Sequence, residues 1–188
     1  MARQVMGFLY KKQILYKHQY GFRRNHNTTH PVIHFLDKIY QGFNSNPTQF
    51  TLSIFLDLKK AFDTVDFPIL LDKLNHYGIR GTSNDWFHNY LCDRQQYVVI
   101  NGTKSSLKSI QCGVPQGSVL GPLLFLIYIN DLPSSEDFFT ILFADDTTFQ
   151  LSGNNMPSLF EKANTELAKA ADWFAANKLT LNIKKTSS

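Results

Sequence analysis

The sequence predicts an α+β fold, an antiparallel sheet with helices packed against it. Strand-like and helix-like segments are mixed along the 188 residues, without the regular alternation that builds a parallel sheet. An Asn-Gly pair at residues 101–102 separates two β-prone runs and predicts a hairpin with a type I′ turn. Because 43% of the residues are hydrophobic and 14% are aromatic, the chain can bury the interior of one domain, or of a compact core with a small lobe.

The first part of the chain is predicted to contain two helices and a strand. Apolar residues spaced as on one helix face indicate an opening helix. Thr28 or Thr29 can cap a second helix, which the loop at residues 44–47 ends. Residues 50–58 are almost continuously apolar or β-prone, which predicts a central strand covered on both faces.

The middle of the chain is predicted to hold two helices and the hairpin. The first helix begins at Asp66, and Gly78 ends it. Aromatic and apolar residues at 86–91 mark a second, shorter helix. The hairpin strands are then expected at residues 97–100 and 105–110, on either side of the turn.

Two helices and three strands are predicted for the last third of the chain. Residues 122–130 have the composition of a buried helix, and residues 157–177 the spacing of a long amphipathic one. Between them, residues 138–143 resemble a buried strand, and β-propensity resumes at residues 147–151. A last strand is expected over residues 179–183.

Composition argues against several classes of protein. The longest apolar segment, residues 119–129, contains a glycine and a proline and is too short to span a bilayer, so no membrane association is expected. The N-terminus lacks the pattern of a secretion signal. Cys92 and Cys112 make neither a disulfide framework nor a zinc site by spacing. We therefore expect an intracellular, reducing compartment, with no choice between nucleus and cytoplasm.

The charge is unevenly distributed along the chain. Residues 1–60 hold nine Lys and Arg against two Asp, whereas residues 61–188 hold ten Lys and Arg against thirteen acids. A basic segment beside an acidic one suits a polyanion that must also meet cations. An ordinary solvated surface is an equally good interpretation of charge alone.

Two adjacent carboxylates, Asp145 and Asp146, follow the apolar run at residues 138–143. We expect them at the tip of a hairpin or at a tight strand junction, where they repel unless a cation or a proton lies between them. Two interpretations fit this pair: a binding site for a hard divalent ion such as Mg²⁺, or a solvated turn. Asp57, at the end of the strand at 50–56, is a third carboxylate, and central pairing of the two strands would bring it to Asp145.

A shaped loop precedes the helix predicted over residues 122–130. Residues 113–122, with the sequence GVPQGSVLGP, contain three glycines and two prolines, so their backbone can approach a ligand closely. A rigid turn that enters a buried helix is the alternative interpretation of this stretch.

Four segments, in this order, resemble the polymerase motifs of reverse transcriptases. Motif A corresponds to residues 57–63 (DLKKAFD), motif B to residues 113–122, motif C to residues 143–146 (FADD) and motif D to residues 181–186 (LNIKKT). Upstream, residues 20–24 (YGFRR) resemble the finger segment. Each motif alone is weak to moderate, but the ordered set is specific. The residues of these motifs are similar to those of the non-LTR retrotransposon branch (LINE, jockey-like).

The resemblance implies the palm of a right-hand polymerase with partial fingers and no thumb. The fingers-like basic segment would be residues 1–50 and the palm residues 51–188. The implied activity is RNA-directed DNA synthesis with two Mg²⁺ ions, or Mn²⁺ as a substitute. An RNA template, a DNA primer and a deoxynucleoside triphosphate are the implied partners, and a further region or partner would supply the thumb. A palm that binds nucleic acid or protein without catalysis is the alternative.

The family also implies roles for individual acidic and basic residues. Asp57 and Asp145 would be the main metal ligands, with Asp146 in support and the Leu58 carbonyl as a further ligand. Lys185 would lie beside the triphosphate as a general acid.

A second set of residues would contact the substrates. Phe62 would lie under the incoming sugar as a steric gate that excludes a 2′-hydroxyl. Gln116 and Gly117 would lie near the nascent base pair. Arg23 or Arg24 would reach towards phosphates, a task that guanidinium geometry suits.

Two further features bear on metal binding. Phe143 stands where many relatives have tyrosine, and this loss of a hydroxyl is expected to leave metal binding intact. His26, His30 and His34 are spaced four residues apart, but Pro31 argues against one shared helix face. Their imidazoles would in any case suit zinc better than magnesium.

Overall fold

Helices and strands are mixed along the chain as predicted. The computed structural model describes residues 1–135 and 137–186. Its helices are α1 (Ala2–Lys11), α2 (Thr29–Phe43), α3 (Phe67–His76), α4 (Thr82–Leu91), α5 (Leu120–Ile129) and α6 (Met156–Ala176). Its strands are β1 (Phe50–Leu56), β2 (Gln95–Gln96), β3 (Val99–Ile100), β4 (Thr103–Lys104), β5 (Lys108–Ser109), β6 (Phe139–Phe143) and β7 (Asp146–Gly153). In this described part of the chain, no helix is both long and apolar enough to cross a membrane.

The main sheet is antiparallel and has the strand order β1-β7-β6. The middle strand is therefore β7, which pairs with β1 on one side and with β6 on the other. The prediction of a central strand at residues 50–58 is wrong, because β1 lies at the edge of the sheet. Its side chains alternate at the end nearest the acids: Ile54 and Leu56 are buried, whereas Phe55 is exposed.

The core is built around α5. All of its residues except Pro122 are buried, because the helix is apolar on every side. Val5, Leu9 and Leu15 belong to the same core cluster as α5 and the sheet. The fingers-like segment at residues 1–50 thus shares its hydrophobic interior with the rest of the chain.

Local signals in the sequence set several element boundaries correctly. Asp66 caps α3, because its Oδ1 accepts a hydrogen bond from the Ile69 amide at 3.2 Å. Gly78 follows this helix with a φ of 94°. The hairpin turn has φ values of 49° at Asn101 and 80° at Gly102, as a type I′ turn requires.

Two local predictions are wrong. The side chain that caps α2 belongs to Asn27, whose Oδ1 accepts from the amides of Thr29 and His30, whereas Thr28 makes no capping bond. The strand expected over residues 179–183 is reduced to a single bridge between Leu58 and Leu181, because the chain turns immediately afterwards.

His18 links the N-terminal segment to the sheet and makes stability depend on pH. Its Nδ1 lies 2.9 Å from the Tyr20 hydroxyl, and its ring packs edge-on against Phe139. Burial, followed by the charges of Lys17 and His34, lowers the pKa of His18 from 6.5 to about 4. Between these pH values the unfolded chain binds more protons at His18 than the folded protein does.

The free energy of unfolding should therefore fall as the pH drops from 6.5 towards 4, and the His18 contribution should be complete above pH 6.5. Urea unfolding at pH 7 and pH 5 measures this loss. His18→Gln should reduce the difference between the two pH values, whereas His88→Gln, at an exposed position on α4, should keep it. The same pH dependence in wild type and His18→Gln would contradict the assignment.

Candidate active site

The acid pair lies at the tip of the β6–β7 hairpin, as predicted. Phe143 pairs with Asp146 across the hairpin, so Ala144 and Asp145 form a two-residue turn. Ala144 is buried and has a φ of 58°, in the left-handed region. Asp145 is half-buried in the turn, and Asp146 is the first residue of β7.

Asp57 reaches the same end of the sheet. Its strand, β1, pairs with β7, the strand that begins at Asp146. Leu56 pairs with Thr147, so the register places Asp57, the next residue, opposite Asp146. Asp57, Asp146 and Lys185 line one cleft of about 410 Å³.

The acids interact electrostatically. The pKa of Asp146 is raised by burial and then by the negative charges of Asp145 and Asp57, while Lys185 opposes this rise. The Asp146 carboxylate therefore lies near enough to Asp145 and to Asp57 to be repelled by both. A cation between them would relieve this repulsion.

The segment that resembles motif D is fixed to the Asp57 carboxylate. Asn182 donates from Nδ2 to Oδ2 of Asp57 at 2.7 Å, and its backbone amide donates to the Asp57 carbonyl, also at 2.7 Å. Lys185 Nζ lies 3.8 Å from the same Oδ2, and its side chain is largely exposed. Sequence reasoning missed this role of Asn182, because the residue lies 125 positions from Asp57 along the chain.

The donor set fits a hard cation, although the acids do not form a compact metal cluster. Within residues 1–135 and 137–186, no three His, Cys, Asp or Glu side chains are grouped as a metal site. The two acids that line the cleft, Asp57 and Asp146, nevertheless offer carboxylate oxygens, the ligands that Mg²⁺ takes in proteins. Leu58 is buried and bridges to Leu181, and metal binding by its carbonyl stays a prediction.

The loop that resembles motif B is tied to the segment after Asp57. Gln116 donates from Nε2 to Oδ1 of Asp63 at 2.6 Å, a partner that sequence reasoning missed. Gly113 has a φ of 91°, and a Cβ there would lie 2.7 Å from the Asp63 carbonyl oxygen, so only glycine fits. Gln116 borders a cleft of about 600 Å³, and Gly117 is exposed beside it with a φ of 79°.

Phe62 is held between two other aromatic rings. It packs on the buried Phe125 at a centroid distance of 4.5 Å and meets Phe22 edge-on at 6.1 Å. Phe62 itself is half-buried. The packing fixes the position of the Phe62 ring, and part of the ring stays accessible to a ligand.

The two arginines after Phe22 differ in their surroundings. Arg23 donates from one terminal nitrogen to the carbonyls of Tyr16 and Gln19, at 2.9 and 3.1 Å, and lies over the Tyr10 ring. Arg24 is exposed. Arg23 is thus bonded within the N-terminal segment, whereas the Arg24 side chain is exposed to solvent.

Gln19 is a further residue that sequence reasoning missed. Its side chain is buried and hydrogen-bonds to both backbone polar groups of Ala144 in the acid-bearing turn. It directly precedes the YGFRR segment, but a glutamine beside a loop gave no signal of burial.

Two solved telomerase structures share the fold of this chain. Apo telomerase from Candida tropicalis superposes with a TM-score of 0.73 at 15% identity, over 99% of this chain and 36% of that one. Telomerase from Candida albicans in complex with a TWJ fragment of telomeric RNA gives 0.69 at 12% identity, over 99% of this chain and 34% of that one. The chain thus has the α+β architecture of part of a polymerase, as predicted.

The chain belongs to the reverse transcriptase (RNA-dependent DNA polymerase) family, whose family model matches residues 2–188. A probable RNA-directed DNA polymerase from transposon BS of Drosophila melanogaster is 28% identical over 99% of this chain and 21% of its own length. The RNA-directed DNA polymerase from mobile element jockey of the same species is 34% identical over 70% of this chain and 15% of its own length. The predicted likeness to non-LTR retrotransposons is confirmed, and the chain spans about a fifth or less of these relatives. Members of this family generally use divalent metal ions.

Proposed function

We propose that the chain forms the fingers and palm of a retroelement reverse transcriptase, which adds deoxynucleotides to a primer 3′-hydroxyl on an RNA template. The observation that supports this most is the approach of Asp57 to the acid pair Asp145 and Asp146 at one end of the sheet. Carboxylates at such a point suit a pair of divalent ions.

The acids would hold the metal and their neighbours would fix the acids. Bound Mg²⁺ ions, or Mn²⁺ in their place, would activate the attacking hydroxyl and neutralise the triphosphate. Asp57 and Asp145 are the proposed main ligands, with Asp146 and the Leu58 carbonyl in support. Lys185, whose Nζ lies 3.8 Å from Oδ2 of Asp57, would give a proton to the departing pyrophosphate.

The substrates would meet the surfaces beside this cleft. Gln116 borders the cleft of about 600 Å³, and the exposed Gly117 follows it in the chain; the nascent base pair would lie beside these two residues. Arg24 is the better candidate for phosphate contact, because Arg23 is already bonded to carbonyls. In this proposal residues 1–50 act as fingers and residues 51–188 as palm. The hybrid duplex of RNA template and DNA primer would be recognised by its shape and backbone.

A nucleic-acid or protein-binding palm without catalysis is the second candidate. Two observations favour it: the described residues hold no compact three-acid metal cluster, and the Asp57 carboxylate accepts a hydrogen bond from Asn182.

Primer extension distinguishes the two candidates. A DNA primer on an RNA template, with deoxynucleotides and Mg²⁺ or Mn²⁺, should be extended by the chain and not when EDTA is added. Hybrid binding without extension in either metal would favour the binding module. That binding should weaken steeply with salt, and a flat salt response would contradict any role in nucleic-acid binding.

Phe62→Val should weaken the discrimination against ribonucleotides. A smaller side chain leaves room for a 2′-hydroxyl, so we expect the preference for deoxynucleotides to fall by at least about tenfold, or ~1.4 kcal/mol. The ratio of kcat/KM for a matched ribonucleotide and deoxynucleotide measures this change. Phe160→Val, at an exposed position on α6, is the control and should keep the wild-type ratio. An unchanged ratio in Phe62→Val would exclude the gate.

A further inference from the structure

We propose that Gln19 is a positioning residue that sets the geometry of the acid-bearing turn from the N-terminal segment. The inference rests on the proposed function, because it assigns Asp145 and Asp146 to metal binding. It adds a residue outside the four motifs and connects the N-terminal segment to the proposed metal ligands.

The Gln19 amide satisfies both backbone polar groups of one turn residue. Its Oε1 accepts from the Ala144 amide at 3.0 Å, and its Nε2 donates to the Ala144 carbonyl at 3.3 Å. The same Oε1 also accepts from the Gly21 amide at 2.8 Å. Only 2% of Gln19 is exposed, so water does not compete for these groups.

The backbone around Gln19 is registered against β6. The Tyr20 amide donates to the Leu142 carbonyl at 2.8 Å, and the Leu142 amide donates to the His18 carbonyl at 2.9 Å. Gln19 and Leu142 therefore form a parallel bridge at the outer edge of the sheet. The Gln19 side chain therefore reaches Ala144 from a backbone whose position is fixed, and this fixes the direction of its hydrogen bonds.

Ala144 is the residue at which such a contact controls the acids. Its φ of 58° is costly for a residue with a Cβ, and it directly precedes Asp145. A two-residue turn leaves few ways to accommodate a change, so a different conformation at Ala144 would redirect Asp145 and Asp146. Two hydrogen bonds from one rigid amide select the observed conformation.

A second buried glutamine in the same sheet shows what a purely structural role looks like. Gln150 is fully buried in β7 and donates from Nε2 to the Phe35 carbonyl at 3.3 Å and to the Ser53 hydroxyl at 3.2 Å. None of these partners belongs to the acid-bearing turn. Gln150→Leu is therefore a matched control for the loss of a buried amide.

The test compares Gln19→Leu with Gln150→Leu in the full chain, by amide hydrogen exchange at Ala144 and by Mn²⁺ titration followed by electron paramagnetic resonance. In Gln19→Leu we expect the Ala144 amide to exchange about tenfold faster, from the loss of one hydrogen bond. We expect Mn²⁺ to bind about tenfold more weakly, as when a group that orients a ligand is removed. Gln150→Leu should show neither change, even if its stability falls.

A Gln19→Leu protein with wild-type exchange at Ala144 and wild-type Mn²⁺ affinity would overturn the proposal. If Gln19→Leu does not fold, Gln19→Glu serves instead: its carboxylate can still accept from both amides but cannot donate to the Ala144 carbonyl, so Mn²⁺ should bind more weakly. Wild-type Mn²⁺ affinity in folded Gln19→Glu would then overturn it. Failure of the wild type to bind Mn²⁺ would count against the proposed function, and the Ala144 exchange would still decide the role of Gln19.

Discussion

Asp145→Asn should lower the rate of single-nucleotide addition to a primer by at least about 10³-fold, equivalent to ~4 kcal/mol of activation free energy. Asparagine keeps the size of the side chain in the hairpin turn but removes the charge that would hold a divalent ion. The measurement is single-turnover addition of one deoxynucleotide on an RNA template in Mg²⁺.

Asp72→Asn is the matched control for this substitution. Asp72 is an exposed acid on α3 and does not line the cleft, so its rate should stay within about twofold of wild type. Equal rates for Asp145→Asn and wild type would remove Asp145 from the catalytic site.

Gly21→Ala should disrupt the contact between the N-terminal segment and the acid-bearing turn. A Cβ at residue 21 would clash with the Ala144 nitrogen and would lie 2.8 Å from its Cα, and both are backbone atoms that cannot move alone. Either the segment at residues 18–22 separates from β6 or the turn shifts. We expect the free energy of unfolding to fall by about 1–3 kcal/mol or more, with a loss of primer extension.

Gly7→Ala is the control for adding a methyl group to a glycine. Nothing lies within 4 Å of a Cβ at residue 7 in α1, so alanine should stabilise that helix by about 0.5–1 kcal/mol. Urea unfolding of both variants gives the comparison. A Gly21→Ala protein as stable as wild type would show that the close approach to Ala144 is not required.

Much of the fold could be predicted because its signals are local. The Asp66 cap, the Asn-Gly turn and the all-apolar α5 each depend on residues within one element. The order of the strands could not be predicted in this way. An apolar run such as residues 50–58 fits an edge strand beside a helix as well as a central strand, and only tertiary pairing decides between them.

The same difference between local signals and tertiary contacts applies to the candidate site. The motifs indicated the acids, and the hairpin position of Asp145 followed from the apolar run before it. The residues that hold the acids were not visible, because Gln19 and Asn182 act from 125 residues away in sequence. The difference between Arg23 and Arg24 could not be predicted either, because the sequence gives two adjacent arginines. Only the structure shows that Arg23 is bonded to a carbonyl and that Arg24 is exposed.

Mn²⁺ titration of wild type and Asp57→Asn tests most directly whether the acids at this end of the sheet bind divalent metal. Electron paramagnetic resonance of free Mn²⁺ gives the affinity without requiring catalysis, and Asp72→Asn controls for the loss of an acid elsewhere. We predict that wild type and Asp72→Asn bind Mn²⁺ alike, and that Asp57→Asn binds at least about tenfold more weakly while remaining folded. Equal Mn²⁺ binding by wild type and Asp57→Asn would contradict the proposed metal site.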